Sequence, residues 1–178
     1  FETLMALDPP PPVIKFARSF RLHAAMAEFL RREIYSKDSI AYHSLKQDLL
    51  AGKDPAGPFL AAVLNPAYPL VVVTHNEGQS QTRNPFEQVL IEPILESLAN
   101  LYGLDAQEGM GVVVPHRAQR AALQQLLARI KPASEADEFP VAAAVDTVER
   151  FQGGEREVIL VSATESDKDY LLQAGEFL

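Results

Sequence analysis

The sequence contains no cysteine, which excludes a disulfide framework and any thiolate metal site. It also has no apolar run near the ~18 residues of a membrane-spanning helix, so no membrane contact is expected. No secretory leader is expected either: Pro9 to Pro12 break the N-terminal region, and no charged-then-apolar stretch precedes them. These absences fit a cytoplasmic or nucleoid-associated protein. Overall positive charge is lacking too. The formal net charge of −8 argues against a general electrostatic grip on nucleic acid. There is no catalytic triad and no dinucleotide-binding glycine signature. The histidines at 23, 43, 75 and 116 are scattered without ligand spacing, so no metal site is expected. No internal repeat or low-complexity tract is visible.

What is present suffices for one ordinary domain with a real core, spanning 1–178: 178 residues, 47% of them apolar. The charge is unevenly distributed. From Lys15 to Lys37, six basic residues face two acidic ones, and from His116 to Lys131 four basic residues face none. Solvated helix faces account for most of this excess.

Apolar spacing sets the expected elements. Val13 to Phe16 reads as a strand, and Leu22 to Tyr35 as a helix with one apolar face (22, 26, 29, 30, 34). Leu70 to Thr74, a β-branched run, reads as a buried strand. Asn84 to Tyr102 reads as a long helix that Pro93 kinks or splits. Val112 to Val114, Val141 to Val145 and Val158 to Ser162 read as strands, and Arg117 to Ile130 as an amphipathic helix stopped by Pro132. Ser36 to Pro69 reads as a long irregular connection with a short helix near Leu45 to Leu50, and Ala133 to Glu138 as an acidic loop. Such alternation favours a parallel sheet with helices on both faces. Ligands of open α/β sheets sit beyond the carboxyl ends of the strands. The segment after Val145 and the Pro115-His116-Arg117 turn are therefore expected on one shared edge.

The segment Val145-Asp146-Thr147-Val148-Glu149-Arg150-Phe151-Gln152-Gly153-Gly154-Glu155 carries the most information. Thr147 follows a strand and opens a helical turn, where backbone amides and a hydroxyl attract phosphate. Asp146 and Glu149 have capping-box spacing, so the same residues also suit a plain helix start. Gly153 and Gly154 permit close backbone approach. Glu155 then lies where its carboxylate can accept ribose hydroxyls, or simply face water. Arg156 and Glu157 read as surface charges.

This segment closely resembles motif V of superfamily 1 helicases of the Upf-like branch. Ser19-Phe20-Arg21-Leu22-His23, placed at the start of the first helix, resembles motif IV of the same family. Val113-Val114-Pro115-His116-Arg117-Ala118-Gln119 resembles its P-Y-x-x-Q element, with His116 in place of the usual Tyr. Asn84-Pro85-Phe86-Glu87 matches its N-x-x-E helix start, which is architectural. The resemblance runs in the family's order from about Arg18 to Thr164. It implies the second RecA-like domain of such a helicase: an α/β, three-layer domain with a mostly parallel sheet. It also implies ATP with Mg²⁺ as cofactor, bound mainly by a first RecA-like domain of the same protein, and single-stranded DNA or RNA as partner.

In that frame Arg21 senses the γ-phosphate, as an arginine finger does, and Gly154 and Glu155 help hold the nucleotide. Thr147, Gln152, Pro115, His116, Arg117 and Gln119 contact the strand. The sequence has no G-x-x-x-x-G-K-[ST]; Gly52-Lys53 lacks the upstream glycine and the following hydroxyl. No strand-end Asp-Glu pair is present. The family's motif VI is expected beyond Leu178. The chain is therefore expected to be one half of a motor, inactive alone. The competing expectation is a RecA-like module without motor activity, serving as a binding or scaffold domain.

Overall fold

The computed structural model describes residues 6, 8, 9, 12, 18–38, 41–131, 139–151 and 155–174. The expected strand at 13–16 and the expected loop at 133–138 lie outside them. The chain divides into two compact units, Phe1–Asp48 and Leu49–Leu178.

In the first unit, β1 (Arg18–His23), α1 (Ala24–Glu33) and β2 (His43–Lys46) form a small parallel crossover. Arg18 pairs with His43 and Ser19 with Ser44, and the register shifts before His23 meets Lys46. The Arg21 segment is thus a strand and not the start of a helix. Its backbone gains a ladder partner in β2, which its own spacing does not reveal. The helix begins at Ala24, where the His23 ring accepts the Ala25 N–H at 3.2 Å. Ala27 is fully buried. Arg31 pairs with Glu28 at 2.5 Å and Arg32 with Glu33 at 2.6 Å, so two of the six basic residues of this run lie on a self-neutralised helix face.

The second unit is built on a three-stranded parallel sheet, in the order β4-β3-β5. These strands are β3 (Met110–Val114), β4 (Val145–Thr147) and β5 (Val158–Val161). Short helix α2 (Gly57–Val63) precedes the sheet, with Pro at its first turn, where a missing N–H costs nothing. The expected helix at 45–50 is instead the end of β2 followed by coil, because Leu45 and Lys46 continue the ladder with β1; the helix in this connection begins at Gly57. Helix α3 (Pro85–Asn100) stays one element with Pro93 inside it. Helix α4 (Arg117–Leu127) follows β3. The four-residue α5 (Val148–Phe151) follows β4, and α6 (Lys168–Ala174) comes last.

The core is made by α3, α4 and one face of the sheet: Leu95, Leu98, Met110, Val112, Val114, Leu123, Leu127 and Val145 are almost fully buried. β3 alternates, so Gly111 faces the other way and meets the Phe151 ring at the end of α5. Helices therefore lie on both faces of a parallel sheet, the α/β architecture expected.

Two expected strands differ. Val141–Ala144 forms a 3₁₀ turn, and β4 begins only at Val145. Three alanines have little strand preference, and the Ala143 N–H bonds Pro140 O at 2.8 Å. Leu70 to Thr74 is no strand: it has no ladder partner among the described residues, and Val72 is 76% exposed. A β-branched run suits a pleated sheet but still needs a neighbour to pair with.

Candidate functional site

Two parallel registers build the site. Val114 of β3 stands beside Thr147 of β4, and Val113 beside Val161 of β5. The chain therefore leaves all three strands at the same edge. The Pro115–Arg117 turn, the start of α5 and the 162–166 loop meet there, as the sequence reading expected for the first two. Between them lies an apolar recess of about 210 Å³, lined by Val113, Val114, Pro115, Val148, Val161, Ser162 and Ala163. A larger hollow of about 620 Å³ is lined by Glu92, Glu96, Asn100, Arg129, Ile130 and Lys131, none of them on this edge.

Thr147 is 7% exposed. Its amide donates to Asp146 Oδ1 at 2.8 Å. Glu149 is held below the usual carboxylate range by its own backbone N–H, then by the Thr147 hydroxyl, with a smaller contribution from the Arg117 charge. One exposed carboxylate thus links two predicted site residues. The Asp146–Glu149 capping box does not form. Asp146 instead lies 3.0 Å from Arg120 Nε, a close ion pair that is not aligned as a hydrogen bond. Arg117 is exposed on the first turn of α4, and Pro115 is exposed beside it. His116 does not present its ring freely: Nε2 lies 2.5 Å from Glu165 Oε1 on the loop after β5.

Gln119 is fully buried, so it does not offer the direct strand contact expected of it. Its side-chain oxygen accepts from Asn84 N at 3.0 Å and Gln88 Nε2 at 2.8 Å, and its Nε2 donates to Ser162 Oγ at 3.1 Å. The network continues to Glu87, whose carboxylate accepts the Ser162 hydroxyl and the Thr164 N–H, the latter at 3.0 and 3.1 Å. Asn84 caps α3 by accepting from Glu87 N at 3.0 Å, and its Nδ2 donates to Thr164 O and to Glu77, each at 3.1 Å. Ser166 donates to Glu77, which this hydroxyl and then the Gln79 N–H hold below the usual carboxylate range. Thr164 sits at φ 65°, rare for a β-branched residue. The hydrogen bonds on either side of its peptide hold it there. The N-x-x-E segment is thus architectural, as read: it fastens α3 and α4 to the loop after β5.

Gln152, Gly153 and Gly154 lie outside the described residues. Glu155 is exposed in the second unit and Arg21 is exposed on β1 of the first. Arg156, read as a surface charge, is half-buried, with its guanidinium 5.2 Å from the centre of the Phe151 ring. Glu149, read as a capping residue, Arg156, read as a surface charge, and Glu165 adjoin the candidate site residues without having been singled out for it from the sequence. For Arg156 a signal existed, an aromatic and an arginine flanking the glycine pair. Among the described residues no group of three or more His, Asp or Glu side chains could hold a metal ion, and no helix is long and apolar enough to cross a membrane.

Comparison with known proteins gives this geometry a context. Residues 1–178 match the model of a family described as AAA domain. Over 117 residues, 60% of the chain, it is 29% identical to the Danio rerio protein "Putative helicase mov-10-B.1". Over 125 residues, 66% of the chain, it is 27% identical to the Arabidopsis thaliana "DNA replication ATP-dependent helicase/nuclease JHS1". The matched stretches span 11% and 8% of those relatives' own lengths. No solved structure matches.

Proposed function

Because the chain belongs to the AAA domain family and is a helicase-type domain of superfamily 1, we propose that it serves as the second RecA-like domain of an ATP-dependent DNA or RNA helicase or translocase. In this reading 1–178 is one functional domain. It supplies one wall of an ATP cleft and part of a single-strand track, and a first RecA-like domain of the same protein supplies the other wall. The observation that carries the reading is the register of β3 with β4. It sets the Pro115–Arg117 turn beside the segment that opens at Thr147, at the ligand-binding end of a parallel sheet.

The exposed side chains suit the cofactor chemically. The planar donor fork of Arg21 matches phosphate oxygens, and the Glu155 carboxylate can accept ribose hydroxyls. ATP with Mg²⁺, when bound, supplies the free energy of phosphoryl transfer. Arg21 neutralises charge at the terminal phosphate, and Glu155 with Gly154 orients the nucleoside. Arg117 and Pro115, exposed at the sheet edge, contact the strand, and Gln152 is assigned the same role from its place in the sequence. Thr147, His116 and Gln119 hold that edge in shape, Thr147 through Glu149 and His116 through Glu165. Arg117 is then a phosphate contact that positions the strand without reading its sequence.

The test is the ATPase of the full-length protein with and without single-stranded DNA or RNA. Strand-stimulated turnover is expected, and Arg21→Ala is expected to lower kcat by about 10³-fold. Undiminished turnover in that variant would remove Arg21 from the cleft. A second reading, a strand-binding or scaffold module without motor activity, is favoured by the engagement of His116 and the burial of Gln119. Strand binding with no stimulated turnover would establish it.

A further inference from the structure

We propose that the apolar recess at the shared strand edge seats one nucleobase of the bound single strand, while Arg117 holds the phosphate of that nucleotide. This names what the strand puts into the site, and it rests on the reading of that edge as a strand track. The recess lies at the carboxyl ends of β3 and β5, between the Pro115 turn and the start of α5, with a volume of about 210 Å³. That is below the roughly 300–1,000 Å³ of pockets that hold drug-sized ligands, so it suits a base and not a whole nucleotide. Its lips are apolar and open: Val148 is 56% exposed and Val161 76%. Apolar surface left open in this way marks a place that is covered on binding.

The lining has one polar side chain, Ser162. Its hydroxyl is already engaged: it donates to Glu87 and accepts from Gln119 Nε2 at 3.1 Å. No lining side chain is thus left to read a base edge, so purines and pyrimidines are expected to enter alike. The charges at the mouth suit a nucleotide that enters base first. Arg117 stands on the exposed first turn of α4, just beyond Pro115. Its charge acts on Glu149, just beyond Val148, so the cation lies between the two lips. The neighbouring carboxylates are taken, Glu149 by its own backbone N–H and the Thr147 hydroxyl, Glu165 by the His116 ring. An arginine at the mouth contacts phosphate without reading sequence, and an apolar floor draws the base out of water. Together they give the sequence-tolerant grip of a single-strand site.

The experiment measures the affinity of the full-length protein, over a range of salt, for a single strand in two forms of equal length. One form carries bases (oligo-deoxythymidine, or oligo-uridine if RNA binds better), and the other has abasic spacers throughout. Wild type is compared with Val148→Asn, Val161→Asn and Arg117→Ala, and the thermal midpoint of each confirms folding. Wild type is expected to bind the base-bearing strand about fivefold or more tightly than the base-free one, the lower end for one seated base. In Val148→Asn and Val161→Asn that preference should shrink about threefold, because the base-free strand gains nothing from the recess. Arg117→Ala should weaken both strands alike and reduce the salt slope by about one phosphate. A preference that survives undiminished in both valine variants overturns the recess as a base site. Equal weakening of the two strands in those variants overturns it too, and would mean that the recess seats another part of the protein. Binding of no strand by wild type overturns the strand track itself, and the base site with it.

Discussion

Asp105 shows how one side chain prepares the sheet for its site. Its Oδ1 accepts the Gln107 and Glu108 N–H groups at 2.6 and 2.8 Å, turning the chain into β3. These backbone donors, Glu108 first, hold its carboxyl below the usual carboxylate range. A depressed folded value means the stabilisation is complete above the unfolded value of about 3.9 and is lost as pH falls through the folded one. The thermal midpoint should therefore drop on acidification below about pH 4, and Asp105→Asn should flatten that drop; parallel acid profiles for the two proteins would contradict this. Glu87 is the buried counterpart. Glu87→Ala leaves the Ser162 hydroxyl and the Thr164 N–H without their acceptor, so about 3 kcal/mol of stability should be lost in denaturant unfolding. A loss below about 1 kcal/mol would mean that water replaces the carboxylate. The role of Gln119 turns on the same distinction between contact and support. A glutamine two residues into a helix after a strand has the right spacing to face a ligand. Only the packing of α3 against α4 puts it at zero exposure.

At the scale of elements, the legible parts were those with long, strong periodicity. Helices α3 and α4 and strands β3 and β5 lie where their apolar spacing puts them, within a few residues. The short or ambiguous pieces were misread for identifiable reasons. Val141–Ala144 is too poor in β-branched residues to stay extended after Pro140, and Leu70 to Thr74 has the composition of a strand without a partner. Pro93 neither splits α3 nor ends it, yet its ring occupies the place of an N–H that would reach Val89 O one turn back. Val89 is 68% exposed, so this turn of the helix faces solvent, and the buried neighbours Ile91, Ile94 and Leu95 carry the helix across the gap. Pro93→Ala should restore the bond and raise stability by about 1 kcal/mol or more, seen as a higher thermal midpoint. A lower midpoint would mean that the pyrrolidine ring itself packs in the core.

At the scale of the whole molecule, the division into Phe1–Asp48 and Leu49–Leu178 makes a mechanical prediction. Residues 47–54 carry no regular structure and are mostly exposed, which is where proteases cut first. Limited proteolysis should nick this stretch and leave a C-terminal piece with its own cooperative unfolding transition, because Leu95, Leu98, Val112, Leu123 and Val145 all belong to the second unit. Rapid degradation of both pieces would show that the units stabilise each other.

The sequence by itself determined the class of fold and the sheet edge at which the Pro115 turn and the Thr147 segment meet. Side-chain alternation along strands and the 3.6-residue period of helices are local properties, and the chain direction at each strand end follows from them. It also determined the family, because the spaced residues from Arg21 to Glu155 keep their order. Tertiary structure decided which of those residues face outward. Burial of Thr147 and Gln119, the hold of Glu165 on His116 and the seat of Arg156 on Phe151 and Gly111 all join positions far apart in sequence or on different elements. Spacing along one element says which face a residue shares. What covers that face is decided only when the other strands and helices pack against it.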